Sequence, residues 1–153
     1  MSDSCEESPA PPYADARYRG RVSIPVAPAD LATALRDRGP GYLLTTTDGR
    51  VKVVTVEPDA EPGGTLHVTA PGRGSLRNIT ANRRVTLLFP PVEHHGYTLL
   101  VDGDAEAVGD DLVVTPDSAV LHRPAHHAPA DGTGATGAPA SSTACGDDCH
   151  PVA

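Results

Sequence analysis

From Gly41 onward the sequence settles into a period of two, in the successive runs GYLLTTT, RVKVVTVEP, GTLHVTA, RVTLLFP and GYTLLVDGDAEAVG. Each run is rich in Thr and β-branched residues and each is bounded by turn signals, which is the pattern of half-buried strands in an antiparallel sheet. The first two are joined by Thr47-Asp48-Gly49-Arg50, and an Asp-Gly pair at that spacing signals a two-residue hairpin because both central residues must reach positive φ. A sixth strand is expected at DLVVTP, after the turn at Gly109-Asp110-Asp111; the following DSAVLHRP fits either a helical turn or a last strand. Five or six such strands leave unpaired edges if the sheet stays open, so closure into a small barrel is expected.

Two helices interrupt this pattern. APADLATALRDRG places Leu31, Ala34 and Leu35 on one stripe, with Asp30 as the expected N-cap and Gly39 before Pro40 as the stop. Between the third and fourth strands, Ser75 is the expected N-cap of a second short helix that turns Leu76 and Ile79 inward and ends at Asn82 or Arg83. Residues 1–20 and 125–153 carry Pro, Gly, Ser and charge without periodicity, so the sequence divides into a disordered head, a domain over 21–124 and a disordered tail. With no Trp, one Phe and four Tyr among 153 residues, the core of that domain must be built from Val, Leu, Ile and Ala.

The formal net charge is −8, which argues against nucleic acid or an anionic membrane as partner. No apolar run approaches the roughly 20 residues that span a bilayer, and MSDSCEESPAPP lacks the basic and apolar blocks of a secretion signal, so a cytoplasmic protein is expected. Against that acidic background, APGRGSLRNITANRRVTLLF gathers Arg73, Arg77, Arg83 and Arg84 without one carboxylate. Two glycines beside Arg73 allow close backbone approach, and a helix start with a guanidinium next to it can bind phosphate. The competing reading is a solvated cationic helix face.

The order of a short helix, GYLLTTTDGRVKVVTVEP, GTLHVTAPGRGSLRNITANRRVTLLF and YTLLVDGDAEAVGD resembles the pyridoxamine 5'-phosphate oxidase-like family, over residues of about 30–124. The resemblance implies a mainly β fold, a small antiparallel split β-barrel with short flanking helices, and a homodimer binding FMN, or the deazaflavin F420 or haem, at its interface. Arg73, Arg77, Asn78, Asn82, Arg84 and Val85 match the family pattern, whereas Ser75 stands where the family commonly has Lys and Arg83 where it has Pro. By the resemblance, Arg73 and Ser75 hold the cofactor phosphate with Thr69 adding a hydroxyl, Arg77 and Asn78 lie in the same motif, and Lys52, Val53, Val54 and Thr55 contact the ring. The function implied is a flavin- or deazaflavin-dependent oxidoreductase acting on a small organic substrate. The alternative is a non-catalytic flavin- or haem-binding sensor on the same barrel.

Catalysis by such a cofactor asks little of the side chains beyond orientation and electrostatics, and no catalytic residue is identified. His67 is expected as a half-exposed strand residue, and His94-His95 as a polar turn. Cys145, Cys149 and His150 in the tail are soft ligands for zinc or copper(I), but the Gly/Ala/Pro flanks supply no folded knuckle, so weak binding is expected and no structural metal site.

Overall fold

The computed structural model describes residues 22–125. The expected head and the Cys145, Cys149 and His150 cluster lie outside the described residues. In chain order the elements are strand β1 (Ser23–Pro25), a 3-10 turn (Pro28–Asp30), helix α1 (Leu31–Leu35), β2 (Gly41–Thr47), β3 (Arg50–Val56), β4 (Asp59–Ala60), β5 (Leu66–Val68), α2 (Arg73–Ala81), β6 (Arg84–Phe89), β7 (Thr98–Val108) and β8 (Asp111–His122).

All strand pairs are antiparallel, and the sheet runs β3-β2-β6-β7-β8-β5-β4, with β1 paired to β8. The end strands β3 and β4 do not pair with each other, so the sheet curls without the full closure that the edge argument leads to, and is the split barrel with short flanking helices that the resemblance implies. Alternation sorts the side chains. Leu43, Val85, Leu87, Phe89, Leu99 and Val101 point to the interior with Leu66, Val68, Leu112, Val114 and Leu121, all essentially out of water. Apolar burial of this kind contributes about 1.5–3 kcal/mol per large side chain, and among the described residues Phe89 is the one fully buried aromatic, with Tyr97 packed partly buried against the core.

The Asp48-Gly49 hairpin forms as predicted: φ is 49° and 70° at the two residues, and Thr47 pairs with Arg50. Three local expectations change. Helix α1 ends at Leu35, short of Gly39, where the Arg38 guanidinium donates to the Ala34 carbonyl. Asp30 precedes α1 in helical geometry but its side chain makes no capping bond. DSAVLHRP is neither helix nor separate strand; β8 runs through it to His122, past a bulge that leaves Asp117 without a partner residue on β7. The bulge bends β8, so one edge serves two neighbours in turn, β5 at Leu112–Val114 and β1 at Val120–His122.

Candidate functional site: the start of helix α2

Gly72 forms the N-cap of α2 with φ of 90°, a backbone position that side chains rarely tolerate. The helix therefore begins at Arg73, two residues before the expected cap, and Ser75 lies inside its first turn. Ser75 is fully buried and its hydroxyl donates to the Pro71 carbonyl at 3.1 Å. That bond turns the hydroxyl inward, which takes Ser75 out of the group of donors facing an incoming anion. The Ser75 and Leu76 N–H groups bond to the Gly72 carbonyl, and no side chain caps the helix. The N–H groups of Arg73 and Gly74 thus have no partner among the described residues.

The position of α2 over the sheet is fixed by two amide side chains. Asn78, 5% exposed, donates to the fully buried Thr45 hydroxyl at 3.0 Å, and Asn82 donates to Thr46 Oγ1 at 2.7 Å. Asn78 is thereby engaged in holding the helix to β2. Thr45 pairs with Lys52 across the β2–β3 hairpin, so Lys52 rises from the same sheet face beneath the helix start. Its stem lies against Gly74: a Cβ added there would meet Lys52 Cε at 2.9 Å and Nζ at 3.3 Å. The Lys52 ammonium is thus delivered to the first turn of α2, where Ser75 stands in place of the family lysine.

The cations of the opening motif divide into two sets. Arg83 pairs with Glu106 at 2.7 Å, and Arg84 bridges Asp104 at 3.4 Å and Asp117 on the β8 bulge at 2.5 Å. The hydrogen bond from Arg84, then its charge, holds the Asp117 carboxyl below the usual range, and the same contact raises Arg84. Arg73 and Arg77, by contrast, have no acidic partner among the described residues, and neither have Lys52 and Arg50.

Of the proposed ring contacts, Lys52 and Val54 lie on the α2 side of β3, while Val53 and Thr55 lie on the opposite face with Leu44 and Tyr42. A planar ring against β3 therefore meets two of the four on any one side. Thr69 is exposed just after β5, beside Ala70, whose N–H donates to Asp111. His67 bonds Glu61 at 2.8 Å, and His94 stacks on His95 in the β6–β7 loop. The sequence reading took Gly74 only as one of two glycines allowing close backbone approach, and did not single out Thr45. The hairpin register was the available signal, since it sets Thr45 opposite Lys52. A shallow depression of about 290 Å³ lies toward the other end of α2, between Ile79, Thr80, Arg83 and Ala105–Ala107. Among the described residues no group of three His, Cys, Asp or Glu is placed to hold a metal ion, and no helix is long and apolar enough to cross a membrane.

No family model matches the chain. Two mycobacterial proteins, Mb0449c of Mycobacterium bovis and MT0457 of Mycobacterium tuberculosis, are each 36% identical over 135 residues, spanning 78% of this chain and 89% of theirs; both carry the description "uncharacterized". Among solved structures, an FAD-binding protein of Mesorhizobium loti superposes with a TM-score of 0.52 at 16% identity, covering 67% of this chain and 98% of its own. General Stress Protein 26 of Bacillus anthracis gives 0.50 at 14% identity, covering 60% and 90%. The chain belongs to one family with the two mycobacterial proteins, and its fold is the pyridoxamine 5'-phosphate oxidase-like split β-barrel.

Proposed function

We propose that this protein is a flavin- or deazaflavin-dependent oxidoreductase acting on a small organic substrate, with the cofactor phosphate held at the start of α2. The observation that carries this reading is the passage of the Lys52 side chain over Gly74, which brings its ammonium to the first turn of α2, a turn that starts at Arg73 and whose Arg73 and Gly74 N–H groups have no partner among the described residues. Helix-start N–H groups, the positive end of the helix dipole and two cations form a site that fits a phosphate dianion. FMN is the first cofactor to test, with F420 and haem as the alternatives; the Mesorhizobium loti protein of the same fold is FAD-binding.

A bound flavin or deazaflavin supplies two-electron transfer to and from a substrate, and the chain supplies binding and orientation. Lys52 and Arg73 fix the phosphate end. The Asn78–Thr45 bond keeps α2 at a set height over β2, and so fixes where a ring tethered to that phosphate can reach along β3. The working unit is a homodimer in the cytoplasm, the second copy covering the half-exposed face that carries Val53 and Thr55.

Titration of the protein with FMN, F420 and haem tests the reading. Saturable flavin or deazaflavin binding is expected, weakened about tenfold or more by Lys52→Ala and by Arg73→Ala, as the loss of one charge-assisted bond of about 1.5–3 kcal/mol requires. Absence of binding below about millimolar, roughly −4 kcal/mol, refutes the reading; a Soret band without flavin binding replaces it with haem handling.

A further inference from the structure

The loop between β6 and β7 carries two adjacent histidines that the proposed cofactor site does not use. Arg38 draws the ends of this loop together, donating to the carbonyls of Phe89, Pro90 and Tyr97 at 3.4, 2.9 and 3.0 Å. At the tip the Gly96 N–H donates to the Glu93 carbonyl at 2.9 Å, and His95 takes φ of 61°. Consecutive side chains of an extended chain point to opposite sides. Here the turn brings the exposed His94 and His95 rings together on one side, their centroids 3.8 Å apart. The Glu93 carboxylate next to them has no ion-pair partner among the described residues.

The described chain leaves the sheet at the same corner. Strand β8 ends at His122, which pairs with Thr98 and bonds Ser23 Oγ through Nδ1 at 3.0 Å. Arg123 is then held twice, by its N–H on the Val22 carbonyl and by its guanidinium, 4.3 Å above the centre of the Tyr97 ring. Tyr97 follows His95 by two residues, and a second adjacent pair, His126-His127, begins three residues after Arg123. Three extended residues reach about 10–11 Å. The contact between Arg123 and Tyr97 therefore anchors both pairs, which together make up four of the seven histidines in the chain.

We propose that His94, His95, His126 and His127 bind one divalent transition-metal ion, zinc before others, and that the ion fastens the chain beyond β8 to the β6–β7 loop. Imidazole nitrogen suits zinc, nickel and copper(II), and four such donors complete a zinc tetrahedron. The loop alone offers two, in keeping with the absence of any three-ligand group among the described residues. Arg38 and Arg123, engaged by carbonyls and by the Tyr97 ring, keep charges that oppose a second cation here, so two imidazoles are too few and the second pair is required. At zinc–nitrogen distances of about 2.0–2.1 Å two rings on one ion stand roughly 5 Å apart at their centres, so the stacked rings part by side-chain rotation as the ion enters. The site is separate from the start of α2 and does not depend on the cofactor proposed there.

The test is a calorimetric zinc titration of the reduced full chain, with cobalt(II) as a spectroscopic stand-in. One ion per chain is expected, with the absorption of tetrahedral cobalt and without the sulfur-to-cobalt charge-transfer band that Cys145 and Cys149 would give. His94→Ala/His95→Asn, where Asn accepts the positive φ, and His126→Ala/His127→Ala are each expected to weaken binding tenfold or more, and Cys145→Ser/Cys149→Ser to leave it unchanged. Zinc is expected to raise the unfolding temperature of the wild type and of neither histidine variant. If the metal-free loop variant unfolds early, His94→Ala alone takes its place, with the same loss of affinity expected. No binding tighter than about millimolar, loop variants that bind as the wild type does, or a thiolate band that disappears with the cysteines overturns the proposal. Half an ion per chain with zinc-dependent dimerisation also overturns it, by placing the two pairs on different chains.

Discussion

Gly74 is a residue whose value lies in what it lacks. A methyl group there meets the far end of the Lys52 side chain, which is flexible and swings away, so Gly74→Ala is expected to leave stability unchanged or to raise it by up to about 1 kcal/mol through helix propensity. Cofactor affinity is expected to fall in the same variant, because the ammonium has left the helix start. Denaturant unfolding beside a flavin titration separates the two effects, and loss of both together would show that Gly74 serves the fold. Asn78 behaves in the opposite way. Its amide satisfies the fully buried Thr45 hydroxyl, so Asn78→Ala is expected to cost about 1–3 kcal/mol in urea unfolding. Arg73 could be proposed as an anion ligand from the sequence because its motif is local. The approach of Lys52 to Gly74 could not be read there, since it depends on a cross-strand partner and on a helix more than twenty residues further along the chain.

Among the elements, those whose conformation is written in two or three adjacent residues could be read directly, the β2–β3 hairpin above all. Gly49 holds φ of 70°, so Gly49→Ala is expected to cost about 1–2 kcal/mol without shifting the strands. The strands β1 and β4 have three and two residues, too few for an alternation to register, and exist because β8 and β5 offer them an edge. In β8, Pro116-Asp117-Ser118 reads as a break in the sequence but is a bulge in the fold, with Pro116 still opposite Gly103. Asp117 then meets Arg84 on β6, two strands away. Because this contact lowers the Asp117 carboxyl, its contribution is present above the unfolded aspartate value of about 3.9 and is lost as pH falls through the lower folded value. Wild type and Asp117→Asn are therefore expected to differ in thermal stability at pH 7 and to converge as pH drops below about 4; a gap that persists at low pH would assign the effect to the bulge geometry.

At the level of the whole molecule, the outer sheet face is the part least finished by the single chain. Val51 and Val53 are 60% and 53% exposed and Tyr42 is 42% exposed, on the face shared with Leu44 and Leu88. In the homodimer proposed above a second copy would cover this face, as an apolar edge strand calls for. Val53→Glu is then expected to convert a sedimenting dimer to monomer at micromolar protein; a wild type already monomeric there removes the dimer from the proposed function. The curled sheet also brings the two ends of the described domain together. Ser23 to Pro25 pairs with Val120 to His122, and the Arg123 N–H donates to the Val22 carbonyl. The barrel can therefore be circularly permuted: a short linker joining residues 22 and 125, with new termini opened at Asp48-Gly49, is expected to keep the strand pairings but turns the hairpin that carries Lys52 into two loose chain ends.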